Sequence, residues 1–314
     1  MSLYLVTGGA GFIGSNIVEE LLKRGEAVRV LDNFCAGKRE NLDFIKQYNP
    51  SAINYELIEG DIRDLYCCRQ ACKGVNFILH QAALRSVPRS IDDPSSTNEV
   101  NVGGTLIILL AASEAGVKRV VYASSSSVYG DSTILPQSEV QIPSPISPYA
   151  VSKLSGEYYC SVFSKLYDLE TVSLRYFNVF GPRQDPQSEY AAVIPKFILW
   201  ALQRKPLVIH GDGLQSRDFT YISNVVEANL LAAKAANVNG EVINIACGQS
   251  HTILDVANGV RKKLGRELKH RHTEPRQGDV RHTLADISKA QRLLKYENKI
   301  GFEEGLEKTI GYFA

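Results

Sequence analysis

Tyr149 and Lys153 stand four residues apart directly after Pro148, a residue type that often begins a helix. A helix that begins there places the phenol and the ammonium on one face. When a hydride leaves a carbon that carries a hydroxyl, a base must take the hydroxyl proton, and a phenol with a lowered pKa can do so. We therefore expect Tyr149 to be the base and Lys153 to lower its pKa, although this spacing alone is also typical of ordinary amphipathic helices.

A run of four serines, residues 124–127, follows the β-rich stretch 120–123. Ligands of open α/β sheets bind beyond the carboxyl ends of the strands, so hydroxyl groups placed there can meet a reacting oxygen. We expect one of these hydroxyls to donate to a substrate, whereas the others are compatible with turn formation.

Three glycines at three-residue spacing, Gly8, Gly11 and Gly14, follow a predicted strand and open a predicted helix together with Phe12 and Ile13. The first permits a tight turn, the second lets the backbone approach a pyrophosphate, and the third lets the helix pack on the strand. The amides at the helix N-terminus bind the anion. This glycine pattern is a variant of the dinucleotide-binding fingerprint. Because it lies within a predicted βαβ unit, it is strong evidence for a dinucleotide-binding site.

Acidic residues at the ends of the next two predicted strands complete this site. Asp32 follows Gly14 by eighteen residues and is placed, with Asn33, to bind the adenosine ribose. A carboxylate there repels a 2′-phosphate, which favours NAD over NADP. Asp61 and Ile62 are placed to contact adenine. A turn or helix cap is the alternative role for both aspartates.

Short β-rich stretches alternate with helical patterns along the first half of the chain. Strands are predicted at residues 3–7, 27–31, 55–58, 75–79, 120–123 and 171–174. This alternation predicts an α/β fold with a Rossmann-type doubly wound parallel sheet. After about residue 176 it breaks into Pro- and Gly-punctuated pieces and a helical run at 224–236. We expect an NAD-binding domain of residues 1–175 plus about 221–245, and a smaller C-terminal substrate-binding lobe of residues 176–220 plus 246–314.

Composition narrows the possible partners. The 35 Lys and Arg residues nearly balance the 34 Asp and Glu residues, so the net charge of +1 indicates neither a nucleic acid nor a membrane as partner. Cys68 and Cys72 lie one helical turn apart with no histidine nearby, so we expect free thiols and no metal site. The chain has no apolar run of about 18 residues and no signal peptide, so we expect a cytoplasmic protein.

These motifs, together with Leu174-Arg175-Tyr176-Phe177-Asn178, resemble the extended short-chain dehydrogenase/reductase family, specifically the UDP-hexose 4-epimerases, over essentially the whole chain. The resemblance implies that NAD stays bound while it takes and returns the C4 hydride of the sugar through a 4-keto intermediate. It assigns the acid–base work to Ser125 and Tyr149, with Ser126 close by, and makes Lys153 a ribose ligand. It also implies a homodimer built on a four-helix contact.

Further positions take their roles from the same resemblance. The cofactor is implied to contact Gln81, Ala82, Ala83, Asn98 and Tyr176. The UDP-sugar is implied to contact Asn178, Val193, Lys196, Arg217, Arg276 and Asp279. Forked arginine donors suit a diphosphate, whereas core packing and surface ion pairs are the ordinary roles of such residues.

The choice of sugar depends on a few positions. Thr283 matches the position where the family limits the 2-substituent, and a small residue there favours UDP-GlcNAc and UDP-GalNAc, with UDP-Glc and UDP-Gal as further substrates. Arg85 together with Arg183 can instead pair with a carboxylate, which keeps UDP-glucuronate open. The serine run contains no Asp or Glu, which argues against a dehydratase. The intact Tyr–Lys pair argues against a non-catalytic dinucleotide-binding sensor.

Overall fold

The computed structural model describes residues 1–48, 54–187, 192–265, 267–274 and 280–314. Its strands are β1 (Leu3–Thr7), β2 (Ala27–Asp32), β3 (Tyr55–Glu59), β4 (Phe77–His80), β5 (Arg119–Ser125), β6 (Glu170–Tyr176), β7 (Val179–Phe180), β8 (Leu207–His210), β9 (Ser216–Arg217), β10 (Thr220–Tyr221), β11 (Glu241–Ile245), β12 (His251–Thr252) and β13 (His270–Thr273). Its helices are α1 (Phe12–Lys23), α2 (Ile45–Tyr48), α3 (Leu65–Cys72), α4 (Val87–Asp92), α5 (Pro94–Asn98), α6 (Thr105–Glu114), α7 (Pro148–Leu166), α8 (Val193–Leu202), α9 (Ile222–Lys234), α10 (Ile253–Leu264), α11 (Ser288–Leu294) and α12 (Phe302–Phe313).

The central sheet has seven parallel strands in the order β11-β6-β5-β4-β1-β2-β3. From β1 the chain builds outward through β2 and β3, and it then crosses to the other side at β4, so the strand order reverses between β1 and β4. All six predicted strands are present, and the Rossmann-type doubly wound fold is confirmed. The seventh strand, β11, was not predicted and lies beside β6.

Helices cover both faces of this sheet. Val6 and Val30 face one side and belong to a cluster that includes apolar residues of α1 and α9. Their neighbours Leu5 and Leu31 face the other side and pack with residues of α3, α6 and α7. Because both faces are buried, the strands are nearly continuous apolar runs, which is typical of parallel sheets.

The elements after β6 form a second packed region, apart from α9 and β11, which return to the central sheet. Three short strand pairs, β7 with β10, β8 with β13 and β9 with β12, accompany α8, α10 and α12. The rings of Phe180, Phe219 and Phe302 have centres 5.7 to 6.3 Å apart and form part of its core. The boundaries of the two expected domains stay predictions.

Within the described ranges no helix is both long and apolar enough to cross a membrane. All six cysteines are free thiols. Burial raises the pKa of Cys72 to about 12, so this thiol is inert at neutral pH. The same described residues contain no group of three or more His, Cys, Asp or Glu side chains arranged to hold a metal ion.

Candidate active site

A cavity of about 900 Å³ opens at the carboxyl ends of the central strands, where ligands of open α/β sheets bind. The residues after β1 to β6 form one wall, and residues of the second region form the other. The predicted site residues that line the cavity are Gly8, Gly11, Phe12, Ile13, Gly14, Asp32, Asn33, Asp61, Ile62, Gln81, Ala82, Ala83, Arg85, Ser125, Ser126, Tyr149, Lys153, Tyr176, Asn178, Arg217 and Thr283. The fold therefore brings most of both predicted sets together.

The loop between β1 and α1 depends on two glycines that cannot carry a side chain. Gly8 has a φ of +66°, and a Cβ there would lie 2.8 Å from the backbone of Ala82. A Cβ at Gly14 would collide with the carbonyl of Gly8, so this glycine lets α1 pack against the loop. Gly11 is the N-cap of α1 and lines the cavity. The N-terminus of α1 is therefore presented to an anion in the cavity.

Asp32 ends β2 at the cavity wall, and 7% of its surface is exposed. Its Oδ2 accepts a hydrogen bond from the N–H of Ala10 at 2.9 Å, and its Oδ1 accepts one from the N–H of Phe34 at 2.8 Å. Burial raises the pKa of Asp32, and the two backbone donors oppose the rise. Each carboxylate oxygen can accept a further hydrogen bond, so the residue fits a ribose diol and disfavours a 2′-phosphate.

Asp61 and Asn33 form a polar edge of the cavity beside Asp32. Asn33 Nδ2 donates to Asp61 Oδ2 at 2.8 Å, and Arg63 Nη2 donates to the same oxygen at 2.8 Å. The hydrogen bond from Arg63 holds the pKa of Asp61 at about 2, so this carboxylate is ionised at neutral pH. Ile62, which is buried, adds an apolar surface next to it. Such an edge suits a base that has both a ring face and polar atoms.

His80 ends β4 behind this wall and lies between two threonines. Its Nδ1 is 2.6 Å from Thr7 Oγ1, and its Nε2 is 3.1 Å from Thr105 Oγ1. Burial, followed by the charge of Lys153, lowers the pKa of His80 to about 3. The ring is therefore neutral near pH 7, where it donates from one nitrogen, accepts at the other and links β1, β4 and α6.

We expect His80 to reduce stability in acid. In the unfolded chain a histidine takes up a proton near pH 6.5, whereas in the folded protein His80 does so near pH 3. Between these values the unfolded state binds more protons, so the free energy of unfolding falls by up to about 1.4 kcal/mol per pH unit as the pH decreases. Urea unfolding of the wild type and of His80→Gln between about pH 7 and pH 4.5 measures this slope. The variant should have the shallower slope, and equal slopes would contradict a neutral buried ring.

Helix α7 carries the Tyr–Lys pair. It begins at Pro148, and Ser147 caps its first turn. Lys153 Nζ donates to the carbonyl of Ala123 at 2.8 Å and lies 5.9 Å from the ring centre of Tyr149. Burial lowers the pKa of Lys153 to about 8. The ammonium thus joins α7 to the end of β5, on the same side of the cavity as the phenol.

Two groups at the cavity act on Tyr149. Burial raises the pKa of Tyr149, and a hydrogen bond with Ser125 and the charge of Arg85 oppose the rise. The ammonium of Lys153 is bonded to the carbonyl of Ala123 rather than to the phenol, and its expected effect on the pKa of Tyr149 stays a prediction. The guanidinium of Arg85, which lines the same cavity, has a part that the sequence pattern did not indicate.

The serines after β5 differ in what their hydroxyls do. Ser124 Oγ donates to the carboxylate of Glu157 behind the strand. Ser125 Oγ accepts from the N–H of Ser127 at 3.2 Å and from its hydroxyl at 2.9 Å. Both acceptor positions of Ser125 are thus used, and its own proton remains for Tyr149 or for a ligand oxygen. This distinction selects Ser125, rather than Ser124, as the hydroxyl able to donate into the cavity.

Glu157 and Arg175 form a buried ion pair directly behind the serines. Nε and Nη2 of Arg175 donate to the two carboxylate oxygens at 2.9 and 2.8 Å, and the side chains of Arg175 and Glu157 are 4% and 3% exposed. The guanidinium also lies 4.7 Å from the ring centre of Tyr129. Because Tyr149, Lys153 and Glu157 recur every four residues of α7, the pair ties the catalytic face of this helix to β5 and β6.

Tyr176, at the end of β6, is held by two amide side chains. Its hydroxyl accepts from Asn229 Nδ2 at 2.8 Å and donates to Gln81 Oε1 at 3.3 Å, while Gln81 Nε2 donates to Asn229 Oδ1 at 3.1 Å. Burial raises the pKa of Tyr176, so the phenol keeps its proton. Asn229 was not predicted. The feature of the sequence that could have indicated a role for Asn229 is an amide side chain on the otherwise apolar face of a helix.

Known proteins share this fold and much of this sequence. Residues 4–246 match the NAD dependent epimerase/dehydratase family. The putative UDP-glucose 4-epimerase of Methanocaldococcus jannaschii is 36% identical over 312 residues, which cover 99% of this chain and 98% of the relative. The chain belongs to this family.

Solved structures of the epimerase/dehydratase type superpose closely on the chain. The UDP-N-acetylglucosamine 4-epimerase from Methanobrevibacter ruminantium M1, in complex with UDP-N-acetylmuramic acid, is 40% identical with a TM-score of 0.93, and the match covers 99% of this chain and 98% of that one. The UDP-glucose 4-epimerase of Thermus thermophilus, in complex with NAD, is 36% identical with a TM-score of 0.89 and the same coverage. NAD is confirmed as the cofactor. The prediction of an isomerase agrees with these relatives, which are 4-epimerases. Their names differ in the sugar of the substrate.

On the wall of the cavity that the second region forms, Thr283 and Asn178 lie next to each other. Thr283 Oγ1 donates to Asn178 Oδ1 at 3.2 Å and accepts from the N–H of Asp218 at 3.2 Å. The buried carboxylate of Asp218 accepts from the N–H groups of Cys247 at 2.9 Å and Gly248 at 3.0 Å. Asp218 was not predicted as a site residue, and it fixes this wall from behind.

The structure corrects the choice of Asn98. This residue is exposed at the end of α5 and does not line the cavity. Asn101, one turn later, is buried: its Oδ1 accepts from the N–H of Leu84 at 2.8 Å, and its Nδ2 donates to Ser152 Oγ at 3.0 Å. Thr97, Asn101 and Thr105 are buried at four-residue spacing, a helical face that was visible in the sequence.

Several predicted substrate residues lie elsewhere. Val193 and Lys196 are half-buried in α8 outside the cavity, which is lined here by Ala192. Arg276 and Asp279 lie outside the described residues, and their roles stay predictions. Arg183, a candidate for pairing with a substrate carboxylate, pairs instead with Glu19 of α1.

Proposed function

We propose that this enzyme interconverts UDP-N-acetylglucosamine and UDP-N-acetylgalactosamine at C4, and that it also accepts UDP-glucose and UDP-galactose. The observation that carries this choice is Thr283, whose short side chain is bonded to Asn178 and to the backbone of Asp218 and is 5% exposed. A side chain held in this way leaves the cavity beside it open. An N-acetyl group at C2 needs such room.

The residues of the chain supply the proton transfer for this reaction. NAD, held along the glycine loop and Asp32, supplies the acceptor and donor of the hydride. Tyr149 takes the proton of the C4 hydroxyl, and Ser125, whose hydroxyl proton is available, stabilises the negative charge on the phenol oxygen. When the sugar presents its other face, the same phenol returns the proton to the oxygen. The charge of Arg85 favours the phenolate in both directions.

A dehydratase needs an additional acid or base next to the catalytic hydroxyls. The serine run contains none. The carboxylate behind it, that of Glu157, is buried and bonded to both Ser124 and Arg175. A carboxylate neutralised in this way is not available to a substrate, which supports epimerisation over elimination.

A uronic acid is the alternative substrate, and one contact argues against it. Arg183, a candidate partner for its carboxylate, is engaged by Glu19. Arg85 remains as the cation that favours this alternative.

We also propose a homodimer that uses the outer face of α7. Val151, Tyr158, Val162 and Leu166 recur at intervals of four or seven residues on this helix and are 42% to 74% exposed. Such an apolar stripe is suited to a helix of a second copy. Light scattering of the purified enzyme measures the mass of the assembly, and a monomer at micromolar concentration would contradict the proposal.

Thr283→Tyr is the variant that tests the sugar. We expect kcat/KM for UDP-GlcNAc to fall by about 10-fold or more, because a ring in this wall excludes the N-acetyl group. Activity on UDP-glucose should stay within about 3-fold. Proton NMR of the C4 epimers, without added NAD, follows both reactions together with UDP-glucuronate.

Thr283→Ser is the matched control, since it keeps the hydroxyl that donates to Asn178, and both activities should persist. An unchanged rate for UDP-GlcNAc in Thr283→Tyr would contradict the proposed role. If the wild type converts UDP-glucuronate but neither of the other sugars, the proposed substrate is wrong. Arg85 would then be the residue that selects the substrate.

A further inference from the structure

Residues 181–187, here called the strap, follow β7 and cross the N-terminal half of α1. Asn16 Nδ2 donates to the carbonyl of Pro182 at 3.2 Å. The guanidinium of Arg183 pairs with Glu19 on the same helix. The strap therefore belongs to the second region in sequence but is fastened to the first helix of the dinucleotide-binding unit.

One ion pair of the strap lies at the cavity itself. Lys38 Nζ is 2.9 Å from Asp185 Oδ2, and both residues line the cavity. Lys38 belongs to the loop after β2, and its backbone N–H donates to the carbonyl of Ala10 at 3.0 Å. Residues 35–38 of this loop also line the cavity. The pair thus joins the strap to the loop on the adenosine side.

The start of α1 is where the diphosphate of a dinucleotide binds. The strap and the loop of residues 35–38 both line the cavity that contains this place, and the Lys38–Asp185 pair joins them across it. We propose that the Lys38–Asp185 ion pair is a latch that sets how fast NAD leaves the enzyme. Both are positioning residues with no part in the proton transfer. The inference rests on NAD binding and is independent of the sugar.

The solvent exposure of the Lys38–Asp185 pair predicts that its effect depends on the salt concentration. The side chains of Lys38 and Asp185 are 50% and 25% exposed, so their attraction is modest and dissolved salt screens it. A latch of this kind should open more often at high ionic strength. Removing either charge should abolish that dependence on salt.

The test measures exchange of bound NAD in the purified holoenzyme. The enzyme is mixed with an excess of radiolabelled NAD, free nucleotide is removed at intervals, and bound label is counted. Asp185→Asn should exchange about 3- to 5-fold faster than the wild type at low salt. The wild-type rate should rise with salt towards that of the variant, whose own rate should change little.

Two further variants test whether the two charges act through each other. Lys38→Gln combined with Asp185→Asn should exchange no faster than either single variant, because each removes the same interaction. Lys263→Gln, which breaks an ion pair with Glu307 far from the cavity, should exchange like the wild type. Acceleration in Lys38→Gln but not in Asp185→Asn would assign Lys38 to the nucleotide itself and overturn the proposal. Unchanged exchange in both would overturn it as well.

Discussion

Tyr149→Phe is expected to lower kcat by about 10²- to 10⁴-fold while NAD and the UDP-sugar remain bound. Helix α7 is anchored to the sheet through Lys153 and Glu157, so the substitution leaves the ring in place and removes only the hydroxyl that we propose exchanges the proton. Ser125 cannot replace it, since the pKa of a serine hydroxyl is far above neutrality and its oxygen already accepts two hydrogen bonds from Ser127. Proton NMR of the epimer measures the rate, and absorbance of the released nucleotide measures the NAD content.

Tyr66→Phe is the control, because Tyr66 lies on α3 outside the cavity with 72% of its surface exposed. It should retain the wild-type rate. A loss of activity in Tyr149→Phe that is no larger than the loss in Tyr66→Phe would remove Tyr149 from the proton transfer. A loss accompanied by release of NAD would indicate a role in holding the cofactor instead.

Glu157→Leu is expected to lower the free energy of unfolding by about 3–5 kcal/mol. The substitution leaves the guanidinium of Arg175 in a buried position without its anion, and it also removes the acceptor of Ser124. Urea unfolding followed by circular dichroism measures the change. A second substitution, Arg175→Met, should recover much of the loss, because an apolar pair of similar volume has no uncompensated charge.

Glu114→Leu is the comparison variant, because the carboxylate of Glu114 is exposed whereas that of Glu157 is buried. In the ion pair of Glu114 with Arg69 the two side chains are 48% and 50% exposed, and solvent screens such a pair so strongly that it adds little to stability. If Glu157→Leu costs no more than Glu114→Leu, the buried pair does not hold α7 to the sheet. If the double variant is as unstable as the single one, the damage comes from packing rather than from the isolated charge.

Strands β1, β4 and β5 were predictable because strands buried on both faces are continuous apolar runs between turn residues. β11 was missed because Asn244 interrupts its short run. The side chain of Asn244 is buried only because the hydroxyl of Tyr129 donates to it at 2.8 Å and the carbonyl of Gln137 accepts from it at 3.0 Å. These partners come from distant parts of the chain, so no local pattern indicates them.

The site residues could likewise be predicted only where the local sequence determines their position. Gly8, Gly14 and Asp32 could be placed from sequence because backbone geometry within one βαβ unit dictates them. Asn98 was placed wrongly because its position depends on which helical face is buried, and the structure leaves it exposed outside the cavity. The charge of Arg85 on Tyr149 could not be anticipated, because it depends on how a loop after β4 approaches α7 in space. The spacing of residues within one helix or strand can be read from the sequence. The effect of a charge on one element upon a group on another can be derived only from the fold.

The pairing of β11 with β6 has a consequence for how the chain is made. Residues 177–240 lie between these two strands, so a ribosome must finish the first part of the second region, through β10, and then α9 before β6 gains its outer neighbour. Until then the nascent sheet presents an unpaired, apolar edge of the kind that other chains can join. A polypeptide that stops before residue 241 keeps this edge open, which makes premature termination a route to aggregation rather than to a smaller folded domain.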